Sequence, residues 1–202
     1  MIRYLSSLFT PLLAHSLLAL LLATGTNAAL AGPLYRITVD TTSLTGTGYL
    51  DLTFAALAGA APATATLSRF DGAFDGGALM TGAVDGNVSA AVVFRNDRTF
   101  NELLQAVTFG GLLRFDADFA VAPGGSVGTG FGIALVNAAL DAYVPGTAGN
   151  VASIDLMPGG FATAWADAAF ATVTPVPEPG SLPVFAAGCM LAALALRRRT
   201  RP

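Results

Sequence analysis

Leu112-Leu113-Arg114-Phe115-Asp116-Ala117-Asp118-Phe119-Ala120-Val121 is the stretch that decides the fold. Leu113, Phe115, Ala117 and Phe119 occupy every second position, with Arg114, Asp116 and Asp118 between them. Side chains alternate between the two faces of a strand, so this period of two describes a strand with one face on a core and the other in water. A helix would need apolar residues three and four apart, and they are not so placed.

Working outward, the same wording returns. Tyr35, Ile37 and Val39 alternate with Leu34, Arg36 and Thr38, and Tyr49-Leu50-Asp51-Leu52-Thr53-Phe54 gives a second strand. Further strands are predicted over 63–70, 88–94, 107–109, 130–136, 151–156 and 170–173. Residues 100–105 could be a short helix or an extended segment. Asp71-Gly72, Asp75-Gly76-Gly77, Asp85-Gly86-Asn87, Pro123-Gly124-Gly125 and Pro158-Gly159-Gly160 read as turns, and Asn96-Asp97 as a strand break. The alanine-rich stretch 55–65 reads as a long turn or a weak edge. Short strands separated by glycine-rich turns predict an all-β, antiparallel two-sheet sandwich, jelly-roll-like.

Both ends have a different composition. Arg3 precedes an apolar region over 17–23, and Ala29-Leu30-Ala31 offers small residues where a signal peptidase reads. A signal peptide over 1–31 is expected, cut after Ala31, with Ala28 as the second choice. At the other end, Pro177-Glu178-Pro179 cannot lie inside a helix, because each proline lacks a donor and extends the residue before it. An uncharged run over 182–196 follows, then Arg197-Arg198-Arg199-Thr200-Arg201. Fifteen helical residues span roughly 22 Å, short of a hydrocarbon core of about 30 Å. Snorkelling arginines would supply the missing length and stop transfer on the cytoplasmic side. The expected division is therefore 1–31 signal peptide, 32–174 sandwich, and 175–202 tail with a transmembrane helix.

The tail resembles the PEP-CTERM sorting signal of Gram-negative bacteria. Pro177, Glu178 and Pro179 match the motif, the short apolar helix follows at once, and the arginines close the chain. The resemblance implies recognition by exosortase, a membrane protease-transpeptidase that removes such a tail, in bacteria that make extracellular polysaccharide. It implies a protein held briefly in the inner membrane, then passed to the outer surface or matrix. An uncleaved membrane anchor is the alternative. The body is similar to one group of PEP-CTERM proteins through Tyr35-Arg36-Ile37-Thr38-Val39-Asp40-Thr41, Gly48-Tyr49-Leu50-Asp51, Phe100-Asn101-Glu102-Leu103-Leu104-Gln105 and Thr108-Phe109-Gly110. That group brings no activity with it.

Charge and chemistry narrow the rest. Over 32–174 there are five arginines, no lysine and twelve acids, a net charge of −7. The whole-chain value of −3 hides this, because four further arginines sit in the tail. An acidic body argues against nucleic acid or an anionic membrane surface as partner. The lone histidine, His15, lies in the signal peptide, and the lone cysteine, Cys189, in the tail helix. The body thus has no Ser-His-Asp triad, no Cys-His pair and no nitrogen- or sulfur-ligated zinc site. No catalytic residue, resident metal or cofactor is assigned.

Asp116 and Asp118 share one strand face, and such a carboxylate pair could bind calcium or cleave a glycosidic bond. It could equally be a solvated face paired with Arg114. Asp71, Asp75 and Asp85 sit beside glycines, as calcium ligands or as ordinary turn residues. Trp165, Tyr143, Tyr49 and Phe161 could form a sugar-stacking platform or fill the core. The expected function is a non-enzymatic structural or adhesive role in a polysaccharide-rich matrix, with a carbohydrate-binding module or carboxylate glycosidase as the alternative.

Overall fold

A computed structural model describes residues 32–158, 161–177 and 188. The expected signal peptide with the expected cleavage residues Ala29 and Ala31, Glu178 and Pro179 of the expected sorting motif, nearly all of the apolar tail run, and Arg197, Arg198, Arg199 and Arg201 lie outside the described residues. Pro177 is described and exposed, just past the last strand.

Twelve strands form among the described residues: β1 (Leu34–Asp40), β2 (Thr47–Ala56), β3 (Ala63–Asp71), β4 (Phe74–Thr81), β5 (Val84–Gly86), β6 (Ala91–Arg95), β7 (Phe100–Thr108), β8 (Leu112–Val121), β9 (Thr129–Asn137), β10 (Asn150–Leu156), β11 (Ala162–Ala166) and β12 (Ala171–Pro175). They make two six-stranded antiparallel sheets. The first runs β12-β1-β8-β3-β6-β5 and the second β11-β10-β9-β2-β7-β4. The pairings β1 with β8, β2 with β7 and β3 with β6 are those of one long ribbon folded over itself, and β9, β10 and β11 extend the second sheet from β2.

The alternation in β8 has the predicted consequence. Leu113, Phe115, Ala117 and Phe119 are buried between the sheets, where they meet Ile37, Leu67 and Phe94 of the first sheet and Leu52, Phe54, Phe131 and Ile133 of the second. Phe131 lies edge-on to Phe54, Phe94 and Phe119, at ring centroid distances of 6.5, 6.0 and 5.6 Å, so one ring ties together strands from both sheets.

Of the two readings left open for residues 100–105 the extended one holds, and several other local expectations are corrected. Residues 100–105 are strand, continuous with 107 and 108 in β7. Their alternation of buried Asn101, Leu103, Gln105 and Val107 between the neighbours β2 and β4 overrides the helix propensity of Glu102-Leu103-Leu104. Asp75-Gly76-Gly77 is not a turn but lies within β4, where the pairing register slips between Phe74 and Ala78. The Gln105 amide closes this gap by donating to the carbonyls of Asp75 (2.6 Å) and Gly77 (3.1 Å). Asp85-Gly86 belongs to β5, and the turn follows it, with the Ser89 amide donating to Asn87 Oδ1. Of the stretch 55–65 only 57–62 is a connection, with a turn at 58–59, and neither flanking strand is an edge. β2 runs through Ala56, and β3 begins at Ala63 between β8 and β6. Asn96 fixes that corner, since its Oδ1 accepts from the Ala63 amide and its Nδ2 donates to the Ala61 carbonyl, both at 2.8 Å.

Candidate functional site

The two outer faces of the sandwich differ chemically. On the first sheet, Arg36, Thr38, Thr64, Thr66, Ser68, Arg114, Asp116 and Asp118 point outward, as their register with one another requires. Asp116 and Asp118 do share a face, but they do not form an open carboxylate pair. Asp116 is only 1% exposed because two arginines cover it. Arg36 Nε and Nη2 donate to its two oxygens at 2.9 and 3.1 Å, and Arg69 also pairs with Oδ2. Arg69 reaches it from a bulge where β3 slips register against β8, and its φ of 55° is left-handed. That is the re-aiming a bulge provides. Burial alone would raise the Asp116 carboxyl, but the Arg36 hydrogen bond and the charges of Arg69 and Arg36 outweigh it and hold the group below its ordinary value. A carboxylate tied this way is poorly placed to transfer protons. Arg114, on the same face, bonds Asp71 at 3.0 Å.

The three glycine-flanked aspartates, all on strands, do not converge. Asp71 is held by Arg114, Asp85 by Arg95, and the Asp75 carboxylate accepts from the Thr108 hydroxyl at 3.2 Å. Among the described residues, no cluster of three or more metal-ligating side chains occurs.

The second sheet presents another kind of surface. Outward positions across β7, β2 and β9 are Leu104, Asp51 and Ala134 in one row, with Ala106, Tyr49 and Val136 in the next. Glycines 130 and 132 leave β9 without side chains further along; at Gly132 the Thr53 hydroxyl and the Asn150 amide fill the space a Cβ would take. The chain then turns at Asn137 and returns so that Tyr143 lies opposite Val136. Asn137 Nδ2 donates to Asp141 Oδ1 at 2.7 Å, and Leu140 between them adopts a left-handed φ of 59°. The turn thereby overhangs the sheet. Asp51, Glu102, Leu104, Val136, Leu140, Asp141, Ala142 and Tyr143 enclose an open cavity of about 350 Å³.

Asp51 is the anomaly of this cavity. It stands between Leu104 and Ala134, so water that would normally solvate a strand-face carboxylate is displaced by hydrocarbon. Its Oδ1 is shut off from solvent and has no hydrogen-bond partner. Burial, and secondarily the charge of Glu102, raise its pKa to about 6. Folding therefore favours protonation of Asp51. Stability from this group is fully present below about pH 4 and is lost as pH rises through 6. An unscreened shift would be worth roughly 3 kcal/mol, but the carboxyl is partly open to water, and screening leaves about 1 kcal/mol. Asp51→Asn is thus expected to be more stable than the parent by about 1 kcal/mol at pH 7 and equal to it at pH 4. Urea melts at both pH values test this; a destabilised variant at pH 7 would refute it.

The four aromatic candidates do not behave as core. Tyr143 is 50% exposed and walls the Asp51 cavity, Trp165 is 54% exposed on edge strand β11, and Phe161 is 76% exposed at the β10–β11 turn. Tyr49 is half-buried on the same face as Tyr143, with Val136 between them. They are spread along one face of the second sheet rather than stacked. Exposed Leu57, Phe100 and Met157 line a more apolar groove of about 460 Å³ that also touches this sheet.

Asp51 was legible only as one acid of a strand. The signal was in its neighbours: Phe131-Gly132-Ile133-Ala134-Leu135-Val136 is apolar on both faces, which marks a strand whose outer side is also poor in charge. Fold and site together define a two-sheet antiparallel β-sandwich with a carboxylate cavity on one outer face. No protein-family model, curated protein or solved structure matches the chain.

Proposed function

We propose that this chain is an exported, non-enzymatic β-sandwich that adheres to extracellular polysaccharide through the outer face of its second sheet. The observation that carries this reading is the contrast between the faces. Arginine partners neutralise Asp116, Asp71 and Asp85 on the first sheet. The second sheet keeps exposed aromatic rings beside Asp51, whose Oδ1 is buried without a hydrogen-bond partner. Open rings with a few polar groups suit pyranose rings, which have apolar C–H faces and a polar rim. The pairing of β1 with β8, β2 with β7 and β3 with β6 supports reading the sandwich as a jelly roll, an architecture that lectin domains also use.

Delivery is part of the proposal. A signal peptide ending at Ala31 starts export. The tail, Pro177-Glu178-Pro179 with its apolar run and terminal arginines, holds the chain in the inner membrane until exosortase removes it. Deleting Pro177, Glu178 and Pro179 is expected to leave the protein in the inner-membrane fraction. For adhesion, Tyr143→Ala with Trp165→Ala should lower retention on the producing cell's own polysaccharide about thirtyfold, since stacking is worth on the order of 1 kcal/mol per ring. Unchanged retention, with unchanged localisation after the deletion, would refute the proposal.

One observation favours a second reading, glycoside hydrolysis. Asp51, with its raised pKa, and the nearby Glu102 have the unequal carboxyl environments that an acid and a base require. Turnover of the matrix polysaccharide that falls on the order of a hundredfold in Glu102→Gln would select it.

A further inference from the structure

Resting on the reading of residues 182–196 as a membrane run, we infer that the end of the sandwich from which the tail leaves lies against the lipid bilayer, with Leu57, Phe100, Met157 and Phe161 set into its interface. The strand registers place these four at that end. The Val176 amide donates to the Leu34 carbonyl, and Leu34 pairs with Asp118 near the end of β8. Val121 at the end of β8 pairs with Ala63, and Asn96 bridges from Ala61 to Thr129 of the second sheet. Thr129 pairs with Ala56 and Leu156, and Ala55 with Phe100. Leu57 follows β2, Phe100 opens β7, and Met157 and Phe161 flank the β10–β11 turn.

Exposure and charge both point to lipid. Leu57 and Phe161 are 70% and 76% exposed, more than any other large apolar side chain among the described residues. Leu57, Phe100 and Met157 border the groove of about 460 Å³. A contiguous apolar patch of this kind marks a protein or membrane contact. Charge is graded along the strands in the opposite sense. Asp40, Asp71, Asp75, Asp141 and Asp167 lie at the far end, beside Leu112, Arg114, Thr108, Asn137 and Val151. Near the apolar end are Asp97, Asp118 and Asp155 against Arg95 and Arg98, and Asp97 pairs with Arg95. That end is close to neutral and can approach a headgroup layer without massed acid.

The chain itself selects the bilayer as occupant. Exposed Pro177 and Leu182 are five residue steps apart, at most roughly 17 Å of extended chain. With 182–196 inserted and the arginines on the cytoplasmic side, the apolar end is held within that length of the opposite membrane surface. Apolar side chains so tethered bury in the interface rather than stay in water.

Fluorescence of the full chain in phosphatidylcholine vesicles tests the contact. An environment-sensitive dye is placed at Ser126→Cys, beside Gly59 at the apolar end, or at Ala148→Cys, in the exposed connection before β10, each together with Cys189→Ser. Lipids carrying a nitroxide near the headgroup should quench the dye at 126 about fivefold more than at 148, because interfacial contacts sink only about 5–10 Å. Leu57→Asp with Phe161→Asp should bring the two positions level while the chain still floats with the vesicles. If that pair proves misfolded by circular dichroism, Phe161→Asp alone, outside every strand, should lower quenching at 126 by about half. Equal quenching at both positions in the parent, with the chain still bound, would overturn the docked end and leave the membrane run standing. Quenching at 126 that the aspartates leave unchanged would also overturn it, since the tether alone would then bring the dye near. If iodide reaches the dye at 126 no better without vesicles than with them, the tail or a second copy covers the patch, and the lipid contact is overturned. A chain that does not float would overturn the membrane run and the docked end together.

Discussion

Phe131→Ala is expected to destabilise the sandwich by about 4 kcal/mol, the typical cost of truncating a buried phenylalanine. The ring is fully buried and lies edge-on to Phe54 beside it in the second sheet, and to Phe94 and Phe119 across the interlayer space. Removing it deletes three edge-to-face contacts, each worth on the order of 0.5–1.5 kcal/mol beyond area burial, and opens a cavity bordered by both sheets. Neither sheet can collapse into that space without breaking its own hydrogen-bond ladder. The thermal midpoint should fall by roughly 10 °C or more. Phe131→Leu keeps most of the volume and should cost less than half as much. A loss below about 1 kcal/mol for the alanine variant would mean that the sheets are not held by this cluster.

Asn101→Ala comes next, at about 3 kcal/mol, through unpaired polar groups rather than lost volume. Asn101 is fully buried at the start of β7. Its Nδ2 donates to the carbonyls of Phe54 (2.9 Å) and Arg98 (3.0 Å), and its Oδ1 accepts from the Ala83 amide at 2.8 Å. Gly82 sits against it with a φ of 82°, and a Cβ there would come within 2.6 Å of that Oδ1. The turn between β4 and β5, where the chain crosses from one sheet to the other, is therefore built around one side-chain amide. Alanine leaves the Ala83 N–H and two carbonyls with no partner but whatever water can enter. Hydrogen exchange should show the Ala83 amide losing protection ahead of the amides of β2 and β8. If protection falls uniformly instead, Asn101 acts on the whole fold and not on this crossing.

The pH behaviour follows from two carboxyls with opposite shifts. Asp116, held low by its arginines, contributes stability that is present above its ordinary value and lost as pH falls through the folded one. Asp51, raised to about 6, works in the other direction. Both contributions are present in mildly acidic solution, so these two groups place the stability optimum between about pH 4 and 6.

Where the sequence reading failed, the cause was consistent. β4 escaped notice because Gly76 and Gly77 look like a turn, and only the Gln105 amide, twenty-eight residues from Gly77, shows how the strand is held. β11, Ala162 to Ala166, has small residues around Trp165 and shows almost no alternation. Asp116 was recognised as a candidate, but its partners were not, since Arg36 lies eighty positions away and Arg69 arrives through a bulge.

By itself, the sequence determined which side of each strand faces in. Alternation is a local property of an extended backbone, and Leu113, Phe115, Ala117 and Phe119 declare it without reference to any other segment. It therefore also determined a layered all-β body with a surplus of acid. What only the tertiary structure decided is which of those acids is paired and which is stranded. Asp51 and Asp116 occupy equivalent outward positions in their strands, yet one lies among Leu104, Ala134 and Val136 and the other beneath two guanidinium groups. A carboxyl's charge depends on the solvation and counter-charge around it, and here both come from strands distant in the chain.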